Sequence, residues 1–396
     1  MPILGQKMIE PIQSKIIDQI LNDHPDNVVT RVTSKFSSLI EDTKESYILF
    51  GAGPLGRYVL GKLRMIGIEP FGFVDNNANL WGKKMDGLPV YSPEDATVQF
   101  KGKALFIITV YTNQPVIRQL QNLGAKFTTF ASLAWYYSEV MLPHGALDLP
   151  HQIFHQADEV QKAFGLWHDE LSRKEYLAQL KWRTSLQLDN MPLHLSPDEI
   201  YFPIDLVRFS EDECFVDCGA FDGDSINAFL RLCKDRFKKI WAIEPDPENY
   251  KHLLERVQLW DDDIVRKVIS FQAAVGSKRQ KIAFNATGTA GSTMGKGSYK
   301  ANSIPLDIIL KSDTPTYIKM DIEGAEMDAL CGAKQVIKEH LPILAVCAYH
   351  KQNHLWEIPL LIQSISNDYG FFLRRYSDEC WELICYAIPM DLLRNK

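Results

Sequence analysis

The sequence contains no long apolar run. Its longest, Leu341–Tyr349, holds nine residues, about half of the roughly 18 that a membrane-spanning helix needs. The opening residues MPILGQKMIEPIQSKII lack the charged-then-apolar order of a secretory signal. We therefore expect a cytoplasmic protein with no membrane span.

Cysteine is also sparse and shows no pairing pattern. The seven cysteines are an odd number, lie mostly inside apolar runs, and never occur in C-x-x-C spacing. We therefore expect neither a disulfide framework nor a zinc knuckle, and this pattern predicts that the cysteines are buried free thiols.

Basic residues are not in excess. The 43 basic and 50 acidic side chains give a net charge of −7, which offers no overall attraction to phosphate backbones or anionic membranes. We therefore expect no nucleic acid among the partners. The 396 residues, 46% of them hydrophobic, are enough for two domains with large cores.

The sequence does contain an alternation of strand and helix patterns. Residues 1–45 have apolar side chains at helical spacing and predict a helical N-terminal segment, with a second helix over Val28–Glu41. Residues 46–140 alternate short apolar runs with helix-length segments, which predicts a small Rossmann-like domain of βαβ units. Residues 141–203 lose the strand pattern and predict a helical connector, and residues 204–396 form a second α/β series.

The predicted fold class is therefore α/β, with two Rossmann-like domains joined by the connector. The strands of the first domain are predicted at Tyr47–Phe50, Phe71–Val74, Ala104–Val110 and Phe127–Phe130. Those of the second are predicted at Cys214–Cys218, Ile240–Ile243, Val268–Val275, Tyr317–Asp321, Ile343–Tyr349, Phe371–Arg375 and Leu383–Ile388.

A glycine loop follows the first predicted strand. Gly51, Gly53 and Gly56 form G-x-G-x-x-G ahead of a helix, and Asp75 ends the next strand, which is the spacing of a dinucleotide fold. The runs FVDNN and GLPVY resemble the small Rossmann-like domain of sugar-modifying and polysaccharide-biosynthesis proteins. Three interpretations stay open for this loop: a nucleotide or nucleotide-sugar site, a redox-active NAD(P) site, and a purely structural turn.

A second loop, Asp217-Cys218-Gly219-Ala220-Phe221-Asp222-Gly223, follows Cys214–Cys218. Its acids, with Asp224, favour a cationic or zwitterionic ligand over a pyrophosphate, and Ser225 is placed to cap the following helix. Glu244, at the end of the next strand, is placed to accept both hydroxyl protons of a ribose. A ribose joined to a cationic, amino-acid-bearing group describes S-adenosylmethionine.

Residues of about 213–376 resemble the FkbM family of S-adenosylmethionine-dependent methyltransferases. The motifs that carry the resemblance are VDCGAFDGDS, AIEPDPENY, FQAAVG, AGSTM, YIKMDIEGAEMDALCGA and LAVCAYHK. The resemblance implies a class I methyltransferase fold, with a seven-stranded, mostly parallel sheet that has an antiparallel hairpin strand, and it implies O-methylation. It places Asp217, Gly219 and Gly223 in the cofactor loop, Glu244 on the ribose, and Ala273-Ala274 beside the adenine. The expected cofactor-binding residues are Asp217, Gly219, Ala220, Gly223, Ser225, Glu244, Pro245, Ala273, Ala274 and Asp321.

Three side chains near the ends of later strands are the candidates for catalysis. Asp321 ends a strand and is the first choice for a general base that takes the proton of an acceptor hydroxyl. Glu323 shares its turn and could cap the helix or bind substrate, whereas Glu326 is expected only to cap. His350, after the strand Ile343–Tyr349, could deprotonate a hydroxyl or orient a carbohydrate. Asp321, Glu323 and His350 could also bind Mg²⁺, since hard oxygen ligands suit that ion.

The leading functional expectation is O-methylation of a hydroxyl on a sugar, polysaccharide precursor or similar polyhydroxylated metabolite. One alternative is an NAD(P)-dependent oxidoreductase that uses the first glycine loop. The other is a nucleotide-sugar-binding module with a non-catalytic C-terminal domain. Because the first 200 residues lie outside the resemblance, the acceptor cannot be inferred from it, and the oligomeric state and the metal stay unassigned.

Overall fold

The computed structural model describes residues 11–43, 45–188, 191–289, 291–295 and 297–394. The chain forms two compact units, each built from separate stretches of sequence. Unit 1 comprises Met1–Ala157, Leu177–Pro192 and Ser377–Trp381, and unit 2 comprises Asp158–Tyr176, Leu193–Tyr376 and Glu382–Lys396. The predicted domain boundaries run consecutively along the chain and do not describe this interleaving, so they stay a prediction.

Unit 1 starts with two helices, α1 (Pro11–Leu21) and α2 (Pro25–Ile40). Proline opens α2, and the His24 side chain accepts a hydrogen bond from the Asp26 N–H, as an N-cap does. The helix buries Val28, Phe36 and Ile40. The predicted second helix is thus confirmed with an earlier start, whereas residues 1–10 of the predicted segment lie outside the described residues.

A six-stranded sheet forms the centre of unit 1. Its elements are β1 (Tyr47–Phe50), α3 (Pro54–Met65), β2 (Phe73–Val74), β3 (Lys84–Met85), β4 (Leu88–Tyr91), α4 (Pro93–Phe100), β5 (Leu105–Ile108), α5 (Gln114–Leu123) and β6 (Phe127–Thr129). The strand order is β3-β4-β2-β1-β5-β6, and only β3 pairs in the antiparallel sense. The order reverses at β1 and β5, the place where doubly wound sheets open a ligand crevice.

Helices follow this sheet in sequence. They are α6 (Phe130–Tyr136), α7 (Ser138–Met141), α8 (His151–His155), α9 (Ala157–Phe164) and α10 (Glu170–Ser185). The predicted connector is therefore helical as far as Ser185. Between Ser185 and β7, the described residues contain only the short 3₁₀ turn Pro197–Glu199.

Unit 2 contains the remaining elements. They are β7 (Cys214–Cys218), α11 (Asp224–Cys233), β8 (Lys239–Ile243), α12 (Pro247–Val257), α13 (Asp262–Val265), β9 (Val268–Phe271), β10 (Ala274–Val275), β11 (Gln280–Asn285), β12 (Thr293–Met294), β13 (Tyr299–Ile304), α14 (Leu306–Ile309), β14 (Tyr317–Met320), α15 (Glu326–Cys331), α16 (Lys334–His340), β15 (Ile343–Cys347), α17 (His354–Ile365), β16 (Tyr369–Arg375), β17 (Leu383–Pro389) and α18 (Met390–Arg394).

A seven-stranded sheet forms the centre of unit 2, in the order β16-β17-β15-β14-β7-β8-β9. Only β17 runs antiparallel to its neighbours, so the sheet has the class I methyltransferase arrangement that the resemblance implies. β7, β14 and β15 are buried along their whole length, as expected for strands that are covered on both faces. Their carboxyl ends, with that of β8, meet at one edge of the sheet.

The predicted strand Val268–Val275 is wrong as a single strand. β9 pairs with β8 in the seven-stranded sheet, whereas β10 pairs with β13 in a separate four-stranded sheet ordered β10-β13-β11-β12. The chain turns between them, where the Ala273 N–H donates to the Phe271 carbonyl at 3.1 Å. An unbroken apolar run does not reveal such a change of sheet.

All seven cysteines lie in the described part of the chain and are free thiols, as predicted. Six are buried and Cys331 is exposed, so the predicted burial holds for all but one. Among the described helices, none is long and apolar enough to cross a membrane.

Candidate functional site

The predicted site residues of unit 2 gather at the carboxyl edge of its seven-stranded sheet. Gly219 follows β7, Glu244 follows β8 and Asp321 follows β14. His350 comes three residues after the end of β15. In parallel sheets this edge is where ligands bind.

The glycine loop after β7 packs directly against the end of β14. Gly219 has φ +80°, and a Cβ at this position would lie 1.9 Å from the Asp321 carbonyl oxygen. Gly223 has φ +88°, and Phe221 between them adopts φ +48°, a region that bulky side chains rarely occupy. The loop therefore needs glycine at both predicted positions to approach β14 and turn into α11.

Asp217 forms a buried ion pair that the sequence did not reveal. Its Oδ1 lies 2.8 Å from Lys319 Nζ on the adjacent strand, and the same ammonium donates to the Gly219 carbonyl at 2.8 Å. Burial raises the pKa of Asp217 to about 6 against the lowering effect of Lys319. Although burial favours a neutral amine, the facing Asp217 and Asp321 raise the pKa of Lys319. Since Asp217 is 0% exposed, it supports the loop from inside the sheet.

The three acids beside this loop each have a partner within the chain. Asp217 pairs with Lys319, and Asp222 pairs with Arg256 of α12. Asp224 accepts a hydrogen bond from the Ser225 N–H at 2.7 Å. The prediction that Ser225 caps the helix is wrong, because α11 starts at Asp224 and its N-cap, Gly223, has no side chain. Ser225 is buried inside the first turn.

Glu244 connects the end of β8 to the glycine loop. Its Oε2 accepts from the Phe221 N–H at 3.0 Å, and its Oε1 accepts from the Asp246 N–H at 2.8 Å. Burial raises the pKa of Glu244 to about 7 despite these bonds. The half-buried Pro245 follows it, and the predicted adenine-side residues Ala273 and Ala274 are buried after β9.

The three predicted catalytic side chains come together around one imidazole. His350 Nε2 lies 3.3 Å from Asp321 Oδ1 and 3.8 Å from Glu323 Oε1. On the other side of the ring, Nδ1 lies 2.8 Å from Glu326 Oε1. The His350 side chain is only 7% exposed, whereas Asp321 and Glu323 are 22% and 30% exposed. The two accessible carboxylates therefore face the ligand edge, with the imidazole behind them.

Glu326 does more than the capping that the sequence predicted. It is fully buried, and its Oε1 accepts from the Ile322 N–H at 3.0 Å as well as binding His350. Its Oε2 lies 3.3 Å from His354 Nδ1. Burial opposes its charge, but His350, His354 and the Ile322 N–H together outweigh burial and lower the pKa of Glu326 to about 2.

The electrostatics change the expected role of His350. Burial favours the neutral ring, but the Glu326, Asp321 and Glu323 carboxylates outweigh it and raise the pKa of His350 to about 10. Near neutral pH the ring is therefore an imidazolium with two N–H donors, which cannot take a proton from a hydroxyl. For Glu323 the balance is different, because burial raises its pKa to about 7 against the opposing His350 charge.

Two further side chains join the site without a signal in the sequence. Tyr201, 8% exposed and in a left-handed conformation (φ +67°), donates its hydroxyl to Asp321 Oδ2 at 2.5 Å. Its carbonyl accepts from the Tyr317 hydroxyl, and Lys319 Nζ lies 4.9 Å from its ring centre. Glu382 is the second, and burial together with Asp321 raises its pKa to about 7.

Of the three candidate Mg²⁺ ligands, Asp321 and His350 lie in a group that could hold a metal ion, but its third member is Glu326 and not Glu323. Ligand atoms of Asp321, Glu326 and His350 lie within 4.8 Å of one another. A histidine ligand must be neutral, whereas the Glu326, Asp321 and Glu323 carboxylates raise the pKa of His350 and favour its protonated form, with Nδ1 hydrogen-bonded to Glu326. Glu326 Oε1 is also already bonded to the Ile322 N–H. The positive charge of the His350 imidazolium offsets the negative charges of the carboxylates around it.

The first glycine loop lies in unit 1, between β1 and α3. A Cβ on Gly51 (φ +120°) would lie 2.7 Å from the Thr109 carbonyl, and one on Gly56 would lie 1.9 Å from the Gly51 carbonyl. Gly53, the N-cap of α3, has no atom within 4 Å of such a Cβ. Asp75 Oδ2 accepts from the Ala52 N–H at 2.9 Å. Packing thus requires glycine at positions 51 and 56 but not at 53.

Comparison with known proteins agrees with this architecture. Residues 217–375 match the family model described as the methyltransferase FkbM domain. A crystal structure of methyltransferase FkbM from Methylobacillus flagellatus KT superposes with a TM-score of 0.74 at 22% identity, covering 92% of this chain and 99% of that one. No curated protein matches the chain.

Two other solved structures are similar over smaller regions. UDP-D-quinovosamine 4-dehydrogenase from Vibrio fischeri gives a TM-score of 0.19 at 21% identity, covering 22% of this chain and 76% of that one. M. jannaschii TYW2 in complex with AdoMet gives 0.26 at 15% identity, covering 45% and 68%. The function therefore follows from the family match. Residues 217–375 match the methyltransferase FkbM domain, and on this match the protein is an S-adenosylmethionine-dependent methyltransferase.

Proposed function

We propose that this methyltransferase acts on a hydroxyl of a sugar or a similar polyhydroxylated small molecule. The observation that carries the proposal is the pair of partly exposed carboxylates, Asp321 and Glu323, at the carboxyl edge of the sheet. A hydroxyl must lose a proton as it is methylated, and a carboxylate within hydrogen-bond reach can accept that proton.

The cofactor, which supplies an electrophilic methyl group, fits the loop and strand ends described above. We assign Gly219, Ala220 and Gly223 to its amino-acid part and Glu244 to its ribose. Pro245, Ala273 and Ala274 line the adenine side. Asp217 and Ser225, both buried, act through the loop that they support.

We assign the proton transfer to Glu323. A general base works best with a pKa near the working pH, and burial places the pKa of Glu323 at about 7. Asp321, which the sequence favours as the base, already accepts from Tyr201 at 2.5 Å and faces the His350 cation. With these contacts, Asp321 is suited to orienting the acceptor hydroxyl. His350 is suited to keeping the Asp321 and Glu323 carboxylates in place.

Methyl transfer from radiolabelled S-adenosylmethionine to a panel of mono- and oligosaccharides tests the proposal. We expect Glu323→Gln to lower kcat by about 10²- to 10⁴-fold, the usual contribution of a general base. The parent kcat should rise through about pH 7, as the Glu323 carboxyl loses its proton. Glu339→Gln, an exposed glutamate of α16, is the matched control and should behave like the parent. Full activity of Glu323→Gln would remove the residue from the mechanism.

We also propose a nucleotide or nucleotide-sugar site in unit 1. Asp75 accepts from the loop amide of Ala52, 23 residues earlier, and Glu244 accepts from the loop amide of Phe221, also 23 residues earlier. In both units, the carboxylate after the second strand thus accepts from an amide of the glycine loop after the first. Gly53 has open space around it, and α3 has no side-chain cap. The N-terminus of α3 is therefore able to face a phosphate.

The full-length chain tests this second site. We expect UDP-glucose or UDP to raise the melting temperature, and Gly53→Glu to abolish that shift by placing a carboxylate in the open space. Gly61→Glu, at an exposed glycine of α3 that also has no atom within 4 Å of a Cβ and no positive φ, is the control. If neither ligand shifts the melting temperature of the parent, the proposed nucleotide-sugar site is wrong.

A further inference from the structure

Asp246 is fully buried and makes hydrogen bonds in two directions. Its Oδ1 caps α12 by accepting from the Glu248 N–H at 2.9 Å and the Asn249 N–H at 3.2 Å. Its Oδ2 accepts from the Ser292 hydroxyl at 2.6 Å and the Gly288 N–H at 3.1 Å. Although burial opposes it, these bonds lower the pKa of Asp246, so the carboxylate stays charged.

The second set of bonds fixes a polar loop to the end of β8. We call residues 286–289 and 291–292, which lie between β11 and β12, the tethered loop. The Asn249 side chain adds a third attachment by donating to the Thr289 carbonyl at 3.0 Å. None of these residues is both apolar and buried. The position of the loop therefore depends on Asp246 and Asn249 instead of on a hydrophobic contact.

The attachment point adjoins the carboxylate assigned to the ribose. The Asp246 N–H donates to Glu244 Oε1 at 2.8 Å, so one residue orients Glu244 with its backbone and the tethered loop with its side chain. We propose that Asp246 is a positioning residue that holds the tethered loop against the adenosyl half of the cofactor. This inference rests on the proposed placement of the ribose at Glu244.

The Ser292 hydroxyl separates this role from helix capping. Ser292→Ala removes the bond to Oδ2, together with the bonds of the Ser292 hydroxyl to Thr287 and Thr289 inside the loop, and it leaves the α12 cap in place. The loss of a hydrogen bond to a charged group that holds a loop beside a ligand corresponds to about a tenfold loss of affinity for that ligand. We expect S-adenosylhomocysteine and 5′-methylthioadenosine, measured by calorimetry on the full chain, to bind Ser292→Ala about tenfold more weakly. Both ligands should be affected equally, because they share the adenosyl half.

Two controls make the outcome interpretable. Ser292→Thr keeps a hydroxyl and should bind both ligands like the parent. Asp307→Ala removes a carboxylate that accepts from the Gln335 and Val336 N–H groups near the start of another helix, so it should lower the melting temperature without changing either affinity. Parent-like binding by Ser292→Ala would overturn the inference. A parent that binds neither ligand would instead overturn the cofactor placement itself.

Discussion

At the scale of single residues, the charge of His350 is the most consequential feature of the site. The pKa of His350 is raised to about 10, so its contribution to stability is complete below about pH 6.5, the ordinary histidine value, and is lost as the pH rises towards 10. The lowered pKa of Glu326, about 2, makes its contribution complete above about pH 4.5. The pair therefore stabilises the fold most between these two pH values.

This linkage predicts a pH-dependent cost for His350→Gln. Between about pH 4.5 and pH 6.5 the variant should be less stable than the parent by about 3 kcal/mol or more, because Glu326 loses a buried ionic partner. The difference should shrink steadily between pH 6.5 and pH 10. Urea unfolding of parent and variant across this range measures it. A difference that is constant with pH would show that the histidine is not held as a cation.

The Tyr201 hydroxyl gives a second prediction at this scale. Tyr201→Phe removes the donor to Asp321 Oδ2 while keeping the ring beside Lys319. We expect kcat to fall by about tenfold, the effect of losing one hydrogen bond to a charged group, with little change in S-adenosylhomocysteine affinity. Kinetics with any accepted sugar, together with calorimetry, separate the two quantities. Equal losses in both would place Tyr201 in cofactor binding instead.

At the scale of elements, β7 and β14 are coupled by the Asp217–Lys319 pair. Lys319→Met leaves a buried carboxylate without its partner and removes the donor to the Gly219 carbonyl. We expect a loss of about 3–5 kcal/mol in the free energy of unfolding, as for other broken buried pairs. The double variant Asp217→Leu with Lys319→Met should recover much of this loss, because no unpaired charge remains.

Cofactor affinity separates the contribution of the Asp217–Lys319 pair to stability from its contribution to cofactor binding. The stability of the double variant should recover, but S-adenosylhomocysteine should still bind weakly, since Gly219 lacks its lysine donor. Unfolding in urea and calorimetry on the parent, the single variants Asp217→Leu and Lys319→Met, and the double variant complete the cycle. Additive losses of stability in the two single variants would contradict the coupling.

The elements also show which parts of the fold the sequence could predict. Strands such as Tyr47–Phe50 and Cys214–Cys218 are short apolar runs bounded by turns, and the structure confirms them. The sequence did not predict the pairs of residues that come into contact only in the folded chain. Lys319 lies 102 residues from Asp217, and Tyr201 lies 120 residues from Asp321 in a segment with no strand pattern. The charge of His350 likewise depends on carboxylates that folding assembles.

At the scale of the whole molecule, the chain contributes to unit 1 from three separate stretches. The last stretch, Ser377–Trp381, connects β16 and β17 in sequence, yet it is part of unit 1. Within that unit, Glu379 Oε1 accepts from the Asn113 side chain at 2.8 Å, and Asp378 Oδ2 accepts from the Gln114 N–H at 3.0 Å. Sequence patterns place both carboxylates between two late strands and give no sign of this role.

Unit 1 should therefore be incomplete in a fragment that ends at residue 192. Such a fragment lacks the Asp378 carboxylate at the start of α5, as well as the Glu379 carbonyl that accepts from Gln179 at 2.8 Å. We compare it with the same fragment to which residues 377–381 are attached through a flexible linker, and we expect the bare fragment to be less stable by about 2–4 kcal/mol. Hydrogen bonds to charged groups contribute about 1.5–3 kcal/mol each, and the entropic cost of the tether reduces this gain. Urea unfolding followed by circular dichroism measures the difference. A linker carrying Asp378→Ala and Glu379→Ala is the control and should give a smaller gain, because it keeps only the Glu379 carbonyl that accepts from Gln179. Equal stability of the bare fragment and the fragment with the native segment would show that unit 1 folds without its last stretch.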